Sequence, residues 1–239
     1  QSDATLKDID NDSLYEFLDT ANSIRNLNEN MLLPPDVILK KMDLMNEKGV
    51  TRAALLLSGK DPARFFSNHF EVKCGRFLDD EGYDEIENDK EFRGNLILIF
   101  RAVMDFVLEA IGKSSVKGVI HRNEKWEFPI SVIREAIVNM IVHRDYRQNI
   151  KSTLEIRPST ISFYNPGLLF GPSITIDRLK TLHPSRPGNK LIAKIFYLMG
   201  LFENWGGGTL KIISETVKSG KASPEFSFED GMFRLVLFR

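Results

Sequence analysis

Apolar side chains recur along this chain at two periods, near 3.6 and 2, and the switches between them predict a mixture of helices and strands. Asp12-Ser13 precedes an amphipathic stretch that predicts a helix to about residue 24. Pro34-Pro35-Asp36 opens a second helix over 37–46, stopped by Gly49. Residues 53–57 are an apolar run that ends in the turn signal Ser58-Gly59-Lys60-Asp61-Pro62. Phe70-Glu71-Val72-Lys73-Cys74 alternates, as a half-buried strand does. Residues 96–111 form a strongly apolar helix with Arg101, Asp105 and Glu109 as its polar stripe, 116–121 a strand, and 130–143 a helix behind Pro129. Leu154, Ile156, Ile161 and Phe163 alternate on both sides of Pro158-Ser159, which predicts a strand pair. Residues 165–187 are rich in Gly, Pro and Ser and lack periodicity, so a long loop is expected. Helices over 190–202 and 210–218 then flank a glycine turn, and 226–228 with 233–238 close the chain as a second hairpin.

Composition bounds the class. Hydrophobic residues at 42% and charged ones at 27% are ordinary globular usage, which excludes a disordered, collagenous or coiled-coil chain. At 239 residues, one large domain or two small ones can bury a core. Cys74 is the only cysteine, so no intrachain disulfide forms. No apolar run approaches a membrane span and no signal peptide is visible, so a cytoplasmic setting is expected. The chain opens on Gln1-Ser2 rather than Met, which suggests a piece of a longer protein.

Charge changes the picture locally. The 32 basic and 33 acidic residues leave a net −1, which excludes a uniformly basic coat. Residues 79–91 nevertheless hold eight acidic residues against Lys90, a net −7, and read as a solvated loop. That stretch divides a smaller N-terminal α/β subdomain, 1–90, from a second domain, 91–239. Residues 144–194 hold nine basic and three acidic residues, a net +6 around the motifs that follow.

Glu135, Asn139 and His143 fall four residues apart and share one face of an otherwise aliphatic helix. A Glu and an Asn one turn apart could position a water and ligate a hard cation through oxygen. A plain solvent face has the same spacing, as Arg101, Asp105 and Glu109 demonstrate. Gly206-Gly207-Gly208-Thr209 directly before a helix lets backbone N–H groups approach a phosphate, or makes a helix-to-helix turn. Asn165-Pro166-Gly167 is by itself a turn. His183-Pro184-Ser185-Arg186-Pro187-Gly188-Asn189-Lys190 places Arg and Lys on a flexible segment that could fold over phosphates or simply be solvated. Several classes are excluded. There is no Gly-x-x-x-x-Gly-Lys-Ser/Thr loop, and His143-Arg144-Asp145-Tyr146 lacks the Asp-Phe-Gly and glycine-rich loop of a kinase. Gly-x-Ser-x-Gly is absent, and the four histidines have no metal-ligand spacing.

The order of these pieces carries a resemblance. Phe128-Pro129, Arg134-Glu135-Ala136, Asn139, His143-Arg144-Asp145-Tyr146, Asn165-Pro166-Gly167, Ser185-Arg186-Pro187 with Asn189, and Glu203-Asn204-Trp205-Gly206-Gly207-Gly208 follow one another. Met42-Asp43-Leu44 and the stretch from Thr51 to Pro62 precede them. The series resembles the C-terminal ATP-binding region of RecG-related, Schlafen AlbA-type transcriptional regulators, within the wider gyrase, chaperone, histidine-kinase and MutL (GHKL) ATPase superfamily. It extends from roughly residue 10 to the C-terminus.

The resemblance implies an α+β fold, with helices packed on one face of a mixed, mostly antiparallel sheet and ATP with magnesium held between the helices and the long loop. By position, Glu135 would polarise the attacking water and Asn139 would ligate magnesium. Asn165 and Gly167 would contact adenine, Gly206, Gly207, Gly208 and Thr209 would cradle phosphate, and Ser185, Arg186 and Lys190 would lie in a lid. Two positions depart from the pattern: Asn165 stands where the superfamily has the Asp of Asp-x-Gly, and Gly188 where relatives often have a second Arg. The implied function is an ATP-binding regulatory module in which nucleotide orders the lid, changes dimer or partner geometry, and is hydrolysed slowly if at all. DNA would be bound through an N-terminal domain absent from this chain, and no helicase motor is expected. The alternatives are an interaction or dimerisation domain that binds no nucleotide, and direct nucleic-acid binding through 144–194.

Overall fold

Residues 3–66, 70–116, 123–167, 175–184, 186–202 and 206–239 are described by the computed structural model. Asp10 starts the first helix, α1 (Asn11–Arg25), by accepting hydrogen bonds from the Asp12 N–H and the Ser13 hydroxyl. Asn26 ends it in the left-handed conformation. The second helix, α2 (Pro35–Lys41), is shorter than the expected 37–46. Asp43 takes φ +62 and Gly49 φ +104, so the chain folds back as a two-strand ribbon, β1 (Met45–Asn46) and β2 (Gly49–Val50). The apolar run after it is a helix, α3 (Arg52–Ser58), capped by Thr51 and buried from Ala54 onward.

Two strands follow, β3 (Val72–Phe77) and β4 (Ile86–Phe92). The second corrects the expected acidic loop: only its first half is a connection, and the rest pairs antiparallel with β3. Glu87, Asp89 and Lys90 stand exposed along the sheet edge, where charge discourages pairing with another chain. The expected boundary between residues 90 and 91 falls inside this strand. Asn95 then caps α4 (Leu96–Ile111), which matches its predicted span. A ribbon of β5 (Lys113–Val116) and β6 (Asn123–Trp126) leads into α5 (Ile130–Val142). Most of the strand expected at 116–121 lies outside the described residues.

The strand pair forms as expected, β7 (Ser152–Ile156) with β8 (Thr160–Pro166). The segment after it includes a single helical turn, α6 (Ile176–Leu179), where only a loop was expected. Then come α7 (Lys190–Leu198), α8 (Gly208–Lys218) and the closing hairpin of β9 (Glu225–Glu229) and β10 (Met232–Phe238).

Six strands join in the order β4-β3-β7-β8-β10-β9, antiparallel except for β3 beside β7. The registers put Cys74, Leu154, Phe163, Leu235 and Phe226 in one row across the inner face, with Ser152, Asn165, Phe233 and Phe228 in the next. Helices α4 and α5 lie on that face, α3 packs on α4, and α7 and α8 on α5. A single apolar cluster runs from Ile9 to Leu237. Burial pushes the Cys74 thiol up to about 12, so it is not a nucleophile at neutral pH.

The acidic and basic stretches meet. Glu91 pairs with Lys151 at 2.5 Å, Asp79 with Arg157 at 3.5 Å, and Asp80 accepts from the Ser159 hydroxyl at 2.6 Å. These contacts set acidic groups of the first stretch against basic and hydroxyl groups of the second.

Leu154 is fully buried between Cys74 and Phe163. Replacing it by Ala is expected to lower the urea-unfolding free energy by about 2–5 kcal/mol, the usual cost of a buried leucine cavity. A loss below about 1 kcal/mol would show that the sheet is not packed as described.

Candidate functional site

Helix α5 holds its polar groups in a narrow stripe. Glu135 is 4% exposed among Val132, Ile133, Ala136 and Val138, and its Oε1 accepts from Asn139 Nδ2 at 3.2 Å. That bond turns the Asn139 carbonyl oxygen away from the carboxylate. The first turn of α8 comes directly against this pair. A Cβ on Gly208 would stand 2.1 Å from Glu135 Oε1 and 3.4 Å from Asn139 Nδ2, so any larger residue would have to displace the buried Glu135 carboxylate. Gly206 takes φ +71, a left-handed turn that leads the chain into the helix, and Gly207 occupies the N-cap with no side chain of its own. Thr209 donates its hydroxyl to the Leu179 carbonyl at 2.7 Å and so ties α8 to α6.

The end of α5 is joined to the end of β8. Asp145 N–H donates to the Pro166 carbonyl at 2.7 Å, and Arg144 bridges Gly167. Arg144, Ser152 and Asn165 are all buried. Arg144 Nη1 donates to Ser152 Oγ at 2.5 Å, and Ser152 donates to Asn165 Oδ1 at 2.7 Å. Asn189 Nδ2 donates to the carbonyls of Val142 at 3.0 Å and Arg144 at 2.7 Å, which pins the start of α7 to the end of α5.

These elements enclose a cavity of about 120 Å³. Among the expected site residues, Glu135, Asn139, Asn165 and Gly167 line it from one side. Arg186, Gly206, Gly208 and Thr209 line it from the other. Gly207 is not part of this lining, and Ser185 lies outside the described residues. Lys190 is placed elsewhere: it opens α7 beside a second hollow shared with Arg52, Phe66 and Arg147, because Asn189 anchors the helix start on that side. The floor went unnoticed in the sequence. Phe163, Phe226, Phe228, Phe233 and Leu235 all face the cavity from the sheet. The alternation of the two hairpins contained that parity, but the pairing of β10 with both β8 and β9 was needed to bring the aromatics together.

His143 is half-buried at the cavity wall, its ring 6.4 Å from Phe202. Desolvation, and secondarily the charge of His183, lower its pKa from 6.5 to about 4. The unfolded imidazole takes a proton first as pH falls, so stability present above pH 6.5 is lost between 6.5 and about 4. His143→Gln is expected to flatten that part of the thermal-melting profile. An unchanged slope would show that His143 titrates normally.

Among the described residues, no group of three or more His, Cys, Asp or Glu is placed to hold a metal, and no helix is long and apolar enough to cross a membrane. The crystal structure of the DIP2311 protein from Corynebacterium diphtheriae matches with a TM-score of 0.78 over 99% of this chain at 18% identity. That likeness concerns the fold, and this chain spans 46% of the DIP2311 chain. A search of curated proteins finds no match. Residues 151–237 match the family model described as "Putative ATP-dependent DNA helicase recG C-terminal". The matched span carries Asn165, Gly167, Arg186 and the glycine turn, with Glu135 and Asn139 just upstream on α5. Residues 151–237 are thus similar to the RecG C-terminal region that this description names.

Proposed function

We propose that the cavity takes a magnesium-bound purine nucleoside triphosphate, of the kind the matched description names in ATP, and that binding orders the 167–189 segment as a regulatory device. The observation that carries this reading is the meeting of Glu135 and Asn139 with the glycine turn at one end of an aromatic floor. Gly206, Gly208 and Arg186 in the cavity lining suit phosphate. Phe228 and Phe233, neighbours across the sheet, suit a planar base, and Asn165 beside Phe233 offers a polar edge.

The residues present fit a magnesium ion bound mainly through phosphate. Such sites use one or two protein oxygens, which the Asn139 carbonyl with Glu135 nearby would supply, and the ion would neutralise phosphate charge there. Glu135 would accept a proton from a water held against the phosphates, which is compatible with slow hydrolysis. At about 120 Å³ the cavity is smaller than the roughly 300–1,000 Å³ of most ligand pockets. Entry therefore requires the segment with Leu179, His183 and Arg186 to move, and the Thr209–Leu179 hydrogen bond is the tie it would break.

Direct nucleic-acid binding through 144–194 draws less support. Arg144 is buried, and Arg147, Lys151, Arg157, Lys180 and Lys194 are held by Asp145, Glu91, Glu155, Asp177 and Asp43.

Calorimetric titration tests the reading. Purine triphosphates should bind more tightly with magnesium than without, and Asn139→Ala should remove the magnesium dependence. Absence of binding and of any thermal stabilisation by every purine triphosphate at millimolar concentration would overturn it.

A further inference from the structure

A buried relay of donors fixes which way Asn165 faces. A guanidinium only donates, so Ser152 Oγ must accept from Arg144 at 2.5 Å. The Ser152 hydroxyl in turn donates to the Asn165 carbonyl oxygen Oδ1, 2.7 Å away. Arg144, Ser152 and Asn165 are 3%, 1% and 3% exposed, so water does not compete for these bonds. The Asn165 amide group is thereby turned away from Ser152. Nδ2 would lie 3.7 Å from a Cβ on Gly167, at the cavity lining, and accepts no other role among the described residues. Phe233 stands directly opposite Asn165 in the sheet, and Phe228 opposite Phe233. A planar base against those rings would therefore meet an N–H donor at its polar edge.

Purines differ in what they offer such a donor. A 6-oxopurine presents two acceptors, O6 and N7, whereas adenine presents its N6 amine beside N7. With its carbonyl already engaged by Ser152, Asn165 matches the first pattern and opposes the amine of the second. We propose that the cavity selects a 6-oxopurine nucleotide, guanine or hypoxanthine, over adenine, with Asn165 as the specificity-determining residue and Ser152 and Arg144 as its positioning residues. This rests on the nucleotide reading of the cavity and names the base within it.

The test is titration of the chain with GTP, ITP and ATP in magnesium buffer. GTP and ITP are expected to bind about tenfold or more tightly than ATP, the worth of one hydrogen bond made against one opposed. ITP is included because it shares O6 with GTP but lacks the 2-amino group. A preference confined to GTP would therefore overturn the assignment to Asn165. Asn165→Asp presents only acceptors and should swing the ratio toward ATP by about tenfold. Ser152→Ala, which frees the Asn165 carbonyl, should narrow the ratio. Both variants are read as ratios within one protein, so a general loss of affinity does not imitate the effect. ATP binding as tightly as GTP and ITP would overturn base selection and leave the nucleotide site standing. Binding of none at millimolar concentration would overturn both.

Discussion

The first turn of α8 comes directly against the Glu135–Asn139 pair on α5, and much of the site depends on that contact. A methyl group at residue 208 would overlap the Glu135 carboxylate and force it to shift, so the glycine preserves this arrangement of the two helices. Once they meet, the left-handed Gly206 sets the path of the entering chain, and Thr209 reaches the Leu179 carbonyl to draw α6 over the cavity. One backbone contact thus places a buried carboxylate, an amide and a helix N-terminus around one space.

The opposite wall is set by polar bonds rather than by packing. Arg144 donates to Ser152 and to the Ile150 carbonyl, Ser152 donates to Asn165, and Asn189 holds the adjoining carbonyls of α5. Buried polar groups of this kind are costly unless satisfied, so the network fixes orientation as well as position. The charge of the surrounding chain behaves alike. The nearly balanced total becomes a set of short contacts, with Glu91 on Lys151 and Asp79 on Arg157, so the two opposite-sign stretches cancel where they meet.

The long helices and the inner strands were legible because their apolar periods are unbroken. Leu96–Ile111 and Ile130–Val142 follow their patterns closely, and Leu154, Ile156, Ile161 and Phe163 face inward as their alternation required. Where pattern and structure part, a specific competitor explains it. Asp43 and Gly49 turn the chain out of α2, and β4 forms from an acidic sequence because its hydrogen bonds to β3 demand no apolar side chains at an edge. The site divided in the same way. Glu135, Asn139 and Gly208 were visible as spacing and composition, but that they touch depends on the packing of α5 on α8. The aromatic floor and the direction of the Asn165 amide depend on strand order and on Ser152, neither of which leaves a local signal.

The most direct test of the central claim is a crystal structure grown with magnesium and non-hydrolysable analogues of GTP and ATP. The account expects density within the α5–α8 cavity, with phosphates at Gly206–Gly208 beside Asn139 and the base on Phe233 with its edge at Asn165, and the 175–186 segment displaced to admit it. A cavity that stays closed at saturating nucleotide, or nucleotide bound at the Arg52–Lys190 hollow instead, would contradict it.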